Sequence, residues 1–81
     1  MNRTDQRLEY LRRALIEWQT ENGEEFTARE LFHWLRQQQG APFWIRLGSV
    51  KRLAIYLTIL KREGYVTLNR KRWRVNVCLS V

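Results

Sequence analysis

The stretch Leu57–Leu68, LTILKREGYVTL, changes its periodicity half-way along. Before Glu63, Leu57 and Leu60 continue an apolar stripe begun by Val50 and Leu53, at the spacing of one helix face. Lys51, Ile55, Thr58 and Arg62 share the opposite face. Gly64 ends the helix, since glycine takes the left-handed backbone on which helices commonly stop. Beyond it the period becomes that of a strand. Tyr65–Leu68 and Arg72–Val77 read as a hairpin, with Val66 and Leu68 alternating on one strand and Trp73, Val75 and Val77 on the other. Asn69 tolerates the left-handed conformation that a tight turn needs.

Working outward, Ser49 caps this helix, which is expected over residues 49–63. Upstream, FTAREL (Phe26–Leu31) fits a capping box: Thr27 and Glu30 each meet a free backbone N–H of a helix starting there. Phe26 and Leu31 suit the hydrophobic staple that accompanies such a box. Leu31, Phe32 and Leu35 face inward, and Gly40 terminates. A first helix is expected from Thr4 or Asp5, with Leu8, Leu11, Leu15 and Trp18 as its apolar stripe and the polar run Gln19–Glu24 as its end. Phe43, Trp44 and Ile45 are costly to leave in water and are expected to fold back on the core. The class is α+β: three helices and a C-terminal two-stranded hairpin, in one domain spanning residues 1–81.

The 81 residues, 44% hydrophobic, suffice for one modest core. No apolar run approaches the roughly 20 residues of a membrane helix, and MNRTDQRLEY lacks the apolar centre of a signal peptide. A cytoplasmic protein is expected. A single cysteine, Cys78, excludes an internal disulfide, and with the single histidine, His33, it is too few for a structural zinc site. Cys78 reads as a small buried hydrophobe.

The net charge of +7 is unevenly spread. Residues 1–40 carry six Lys/Arg and seven Asp/Glu, 6 − 7 = −1; residues 41–81 carry nine Lys/Arg and Glu63 alone, 9 − 1 = +8. A bias of this size points to a polyanionic partner. Its densest part is the hairpin, where Arg70, Lys71, Arg72 and Arg74 surround Trp73 and no acid follows Glu63. Exposed strand cations also discourage aggregation, which explains one or two of them. Trp73 alternates with Val75, so it reads as core rather than as a base-stacking platform, and Trp18 and Trp34 read likewise. For Trp44, burial and partner contact stand equal. Arg29, His33 and Arg36 recur on the outer face of the second helix; an ordinary polar face is the preferred reading, a supporting phosphate contact the alternative.

The order helix, short extended piece, capped helix, connection, longer helix, hairpin resembles the winged helix-turn-helix family from about Thr4 to Val77. EFTARELF (Glu25–Phe32) is similar to that family's short first strand and second helix, and LTILKREGYVTL to the end of its recognition helix and first wing strand. The connection Gly40–Gly48 is longer than the family's usual brief turn. The resemblance implies double-stranded DNA binding, with the helix at 49–63 in the major groove and the wing, 69–74, along the backbone or minor groove. It assigns Ser49, Lys51, Arg52, Ile55, Tyr56 and Arg62 to the recognition face and Arg70, Lys71, Arg72 and Arg74 to the wing. Arg46 joins Lys51 and Arg52 as an expected phosphate contact. Ile55, with Ile59 expected beside it, stands where hydrogen-bonding base readers are usual; isoleucine touches only a thymine methyl.

Catalysis finds little support. Glu24 and Glu25 are neighbours in an expected turn, too local for an opposed acid–base pair. No phosphate-binding glycine loop, nucleophile elbow or metal cluster is evident. The expectation is a transcriptional regulator without cofactor, metal, membrane or small-molecule substrate, and with a homodimer left open. The alternative is a protein-interaction module of the same fold in a nucleoprotein assembly.

Overall fold

The computed structural model describes residues 2–76. Its elements in chain order are α1 (Arg3–Asn22), β1 (Glu25–Phe26), α2 (Ala28–Gln37), α3 (Phe43–Arg46), α4 (Val50–Arg62), β2 (Val66–Asn69) and β3 (Arg72–Val75). The described residues are thus α+β, with four helices and a three-stranded antiparallel sheet in the order β1-β3-β2. Val77 and Cys78 lie outside them.

Helix α1 begins before Thr4. Asn2 is the cap, its side-chain oxygen accepting the Asp5 N–H at 2.8 Å. The helix also runs on through Gln19–Asn22, because those polar residues suit a helix well enough. It stops only at Gly23, at φ 94°, whose N–H reaches the Gln19 carbonyl. Helix α2 starts as its sequence requires: Glu30 N–H donates to Thr27 Oγ1 at 3.1 Å, and Thr27 N–H to the Glu30 carboxylate at 2.8 Å.

The long connection holds an unanticipated single turn, α3. The Pro42 carbonyl accepts from the Ile45 and Arg46 N–H groups. One turn has only one inward side, and Ile45 takes it. Trp44 is half-buried, edge-on to Tyr10 and Tyr56. Phe43, expected to fold back on the core, is instead 68% exposed, and Leu47 is 71% exposed. Gly48 then passes so close to the Trp44 carbonyl that a Cβ would lie 2.2 Å from its oxygen.

Helix α4 corresponds to the helix expected over 49–63. Ser49 caps it, and Leu53, Leu57 and Leu60 are buried, while Val50 is only half-buried. In the hairpin, Val66 faces Val75 and Leu68 faces Trp73. Trp73 is covered on its far side by Phe26 of β1, but Leu68 stands on the edge strand with no strand beyond. It is therefore 39% exposed rather than packed. The left-handed turn residue is Arg70, at φ 60°, and not Asn69, which still pairs with Arg72.

The core joins Leu8, Leu11, Leu15 and Trp18 of α1 to the inward sides of α2, α4 and the sheet. Trp18 packs edge-on against Phe26 and Trp34, and its indole N–H donates to the Glu25 carbonyl at 3.3 Å. Burial pushes the Tyr10 phenol above its ordinary value of 10.0, with Glu17 adding to the shift. Among the described residues, no helix is long and apolar enough to cross a membrane.

The tight passage at Gly48 gives a stability test. Gly48→Ala forces a methyl into backbone that has no flexible side chain to move aside. The expected loss in urea unfolding is about 1–3 kcal/mol, the usual cost of overpacking. Unchanged stability would mean that the α3–α4 junction shifts freely.

Candidate nucleic-acid interface

The exposed side of α4 follows from its buried one. With Leu53, Leu57 and Leu60 inward, helical phase turns Lys51, Arg52, Ile55 and Arg62 to solvent, and all four are exposed. Ile55 is 58% exposed. Arg46, at the end of α3, is exposed as well.

Three residues expected on this face are engaged elsewhere. The Ser49 hydroxyl accepts the Arg52 N–H at 3.2 Å and serves as the helix cap. Tyr56 is half-buried: its hydroxyl accepts from an Arg7 guanidinium nitrogen at 2.8 Å, and its ring meets Trp44 at a centroid distance of 5.5 Å. The Arg7 guanidinium also lies over the Trp44 ring, 5.1 Å from its centroid. Ile59 is half-buried against the core. One turn from Ile55, it has rotated far enough toward the Leu60 side to be covered.

The four hairpin cations do not all stand free. Strand β1 pairs with β3 so that Glu25 stands opposite Arg74 and Phe26 opposite Trp73. Successive side chains alternate between faces, so Phe26 and Trp73 turn inward while Glu25, Arg72 and Arg74 share the outer face. Arg72 Nε reaches a Glu25 oxygen at 3.2 Å. Arg74 meets Glu24 through one terminal nitrogen and Glu25 through the other, the latter at 3.4 Å. Glu24 and Glu25 thus do not form a detached turn, for Glu25 opens β1 and the Glu24 carbonyl accepts the Val75 N–H at 2.8 Å. The four side chains are roughly half exposed, so the pairs add little stability. Their effect is electrostatic: two of the four hairpin cations already have carboxylate partners.

Arg70 and Lys71 form the hairpin turn, are exposed and make no ion pair among the described residues. The same holds for Arg46, Lys51, Arg52 and Arg62. On α2, Arg29, His33 and Arg36 are exposed as expected, with Arg36 lying over the Phe32 ring. No group of three or more His, Cys, Asp or Glu among the described residues is placed to hold a metal ion.

Sequence reading missed the roles of Glu24 and Glu25 because their partners lie 47 to 50 residues away. The available signal was complementarity: Glu25 next to inward Phe26 matches Arg72 and Arg74 around inward Trp73. Comparison with family models, curated proteins and solved structures returned no match.

The strained turn yields a stability prediction. A left-handed backbone costs a non-glycine residue roughly 1–2 kcal/mol, partly offset in glycine by the greater freedom of its unfolded chain. Arg70→Gly should therefore hold or raise unfolding stability, by up to about 1 kcal/mol. A clear loss in urea titration would mean that the Arg70 side chain itself braces the hairpin.

Proposed function

We propose that this chain is a winged helix-turn-helix protein that binds double-stranded DNA as a transcriptional regulator. The observation that carries the reading is a set of unpaired cations on two adjoining elements. Lys51 and Arg52 on the first turn of α4, and Arg70 and Lys71 on the hairpin turn, are exposed and free of carboxylate partners among the described residues. The element order and the β1-β3-β2 sheet support the same reading.

In this mechanism α4 enters the major groove. Lys51, Arg52 and Arg46 meet phosphates, which supply affinity and register. Ile55 offers an apolar contact to a thymine methyl and no hydrogen bond to a base edge. Affinity then rests mainly on charge, with modest sequence preference. Tyr56, held by Arg7 of α1 and Trp44 of α3, ties the inner side of α4 to the rest of the fold.

Charge-based binding sets the salt dependence. About five free cations on phosphates give a slope of log affinity against log salt of about −4 to −5. A fluorescence-anisotropy titration on a random duplex at several salt concentrations measures it. No binding at low salt, or affinity indifferent to salt, would sink the DNA reading.

A second reading, an interaction module in a nucleoprotein assembly, draws on the exposure of Phe43, Leu47 and Ile55 at 68%, 71% and 58%. Ile55→Glu separates the two. Its melting temperature should hardly change, as at most exposed sites. With α4 in the groove, a carboxylate near phosphates should weaken duplex binding on the order of tenfold, a repulsion of roughly 1–2 kcal/mol. Retained duplex affinity with altered sedimentation or partner capture would favour the module instead.

A further inference from the structure

On the DNA-binding reading, the phosphate backbone meets the hairpin on one of two sides, and the sides are chemically unlike. The outer sheet face forms a shallow cleft of about 500 Å³ that includes Thr67, Asn69, Arg72, Arg74 and Glu25, and that Arg70 of the turn also lines. Its two strand arginines are held by Glu24 and Glu25, so Arg70, which lines both sides, is the one lining cation here without a carboxylate partner among the described residues. A phosphate arriving there must displace carboxylates or sit beside them.

The other side is a cleft of about 570 Å³ between the hairpin turn and the start of α2. Arg70 and Lys71 line it from the turn, and Arg29 lines it from α2. Leu68 and Trp73 form its apolar floor. Among the described residues no carboxylate lines it. Glu30, next to Arg29 in the chain, folds back onto the Thr27 N–H at 2.8 Å to complete the capping box. Arg29, Arg70 and Lys71 make no ion pair among the described residues.

We propose that this cleft between α2 and the hairpin turn, and not the outer sheet face, seats a phosphate of the DNA backbone, with Arg29 as its third cation. Two arginines and a lysine, one from α2 and two from the hairpin turn, line one opening. Guanidinium forks match phosphate oxygens, and the lysine adds a point charge. Leu68, 39% exposed at the hairpin edge, offers an apolar surface to the adjoining deoxyribose. Counterion release rewards cations without a carboxylate partner, so the cleft contributes to affinity where the outer face contributes little. Arg29 thereby moves from an ordinary polar helix face into the binding site.

The test compares Arg29→Ala with Arg72→Ala, which change net charge equally, in salt titrations on a random duplex. Lys71→Ala serves as a second cleft variant, and circular dichroism checks each fold. The expected result for Arg29→Ala and Lys71→Ala is a salt slope smaller by about 1, and an affinity lower on the order of five- to tenfold near 0.1 M salt. Arg72→Ala should move both quantities clearly less. An equal or larger effect of Arg72→Ala, in folded variants, would overturn the cleft while leaving DNA binding intact. A parallel titration with inorganic phosphate, followed by amide chemical shifts, separates the two ideas. Shifts at Arg29, Arg70 and Lys71 without duplex binding would uphold the anion cleft and refute the DNA reading. Absence of both would refute the two together.

Discussion

Phe26 is where the independent constraints on this fold meet. It pairs with Trp73 in the sheet, packs edge-on against Trp18 of α1, and immediately precedes the Thr27 cap of α2. Burial of one aromatic ring thus sets the sheet register, the seat of α1 and the starting point of α2 together. The electrostatics follow from that register. With Phe26 and Trp73 inward, alternation turns Glu25, Arg72 and Arg74 outward on neighbouring strands, where they come within ion-pair reach. With Thr27 fixed one residue later, Arg29 comes to line the cleft beside the hairpin turn.

Helix α1 does more than close the core. Arg12 donates to Glu63 at 3.0 Å and lies over the Tyr65 ring, while Arg7 donates to Tyr56 and lies over Trp44. The two arginines grip the end and the middle of α4. Each guanidinium keeps a buried Nε without a hydrogen-bond partner, and each is instead stacked on an aromatic ring. The grip orients α4 about its own axis, which keeps Tyr56 on the supported side and Lys51 and Ile55 on the open one.

Local signals were legible in the sequence, and distant ones were not. The capping box at Thr27–Glu30, the cap at Ser49 and the outward phase of Ile55 are decided within a few residues, and each is found in the structure. Phe43 was misjudged because hydrophobicity says what burial would gain, not which side of a single turn faces inward; Ile45 had that side. The engagement of Tyr56 was not legible because its partner, Arg7, lies 49 residues away. Leu68 followed the alternation correctly yet stayed exposed, since pattern alone does not distinguish an edge strand from a central one. For the candidate site, the four hairpin cations were visible as a cluster. Their division into paired and free members depends on β1, two residues long and too short to announce its register.

That division separates two uses of the same residue type. Arg72 and Arg74 sit on the central strand β3, Arg74 paired on both sides and Arg72 with Asn69 of β2. Cross-strand carboxylates balance them, and their charge serves the outer face of the fold. Arg70 and Lys71 occupy the turn, where no neighbouring strand can supply a carboxylate. Arg70 also accepts a left-handed backbone, although Asn69 beside it would tolerate that conformation at lower cost. Exchanging the order of these two residues would ease the backbone and move the guanidinium back into the ladder, opposite Arg72. Like charges would then face each other across the strands, a destabilising arrangement. The strained turn arginine is therefore the arrangement that keeps like charges apart while leaving a free cation at the hairpin tip.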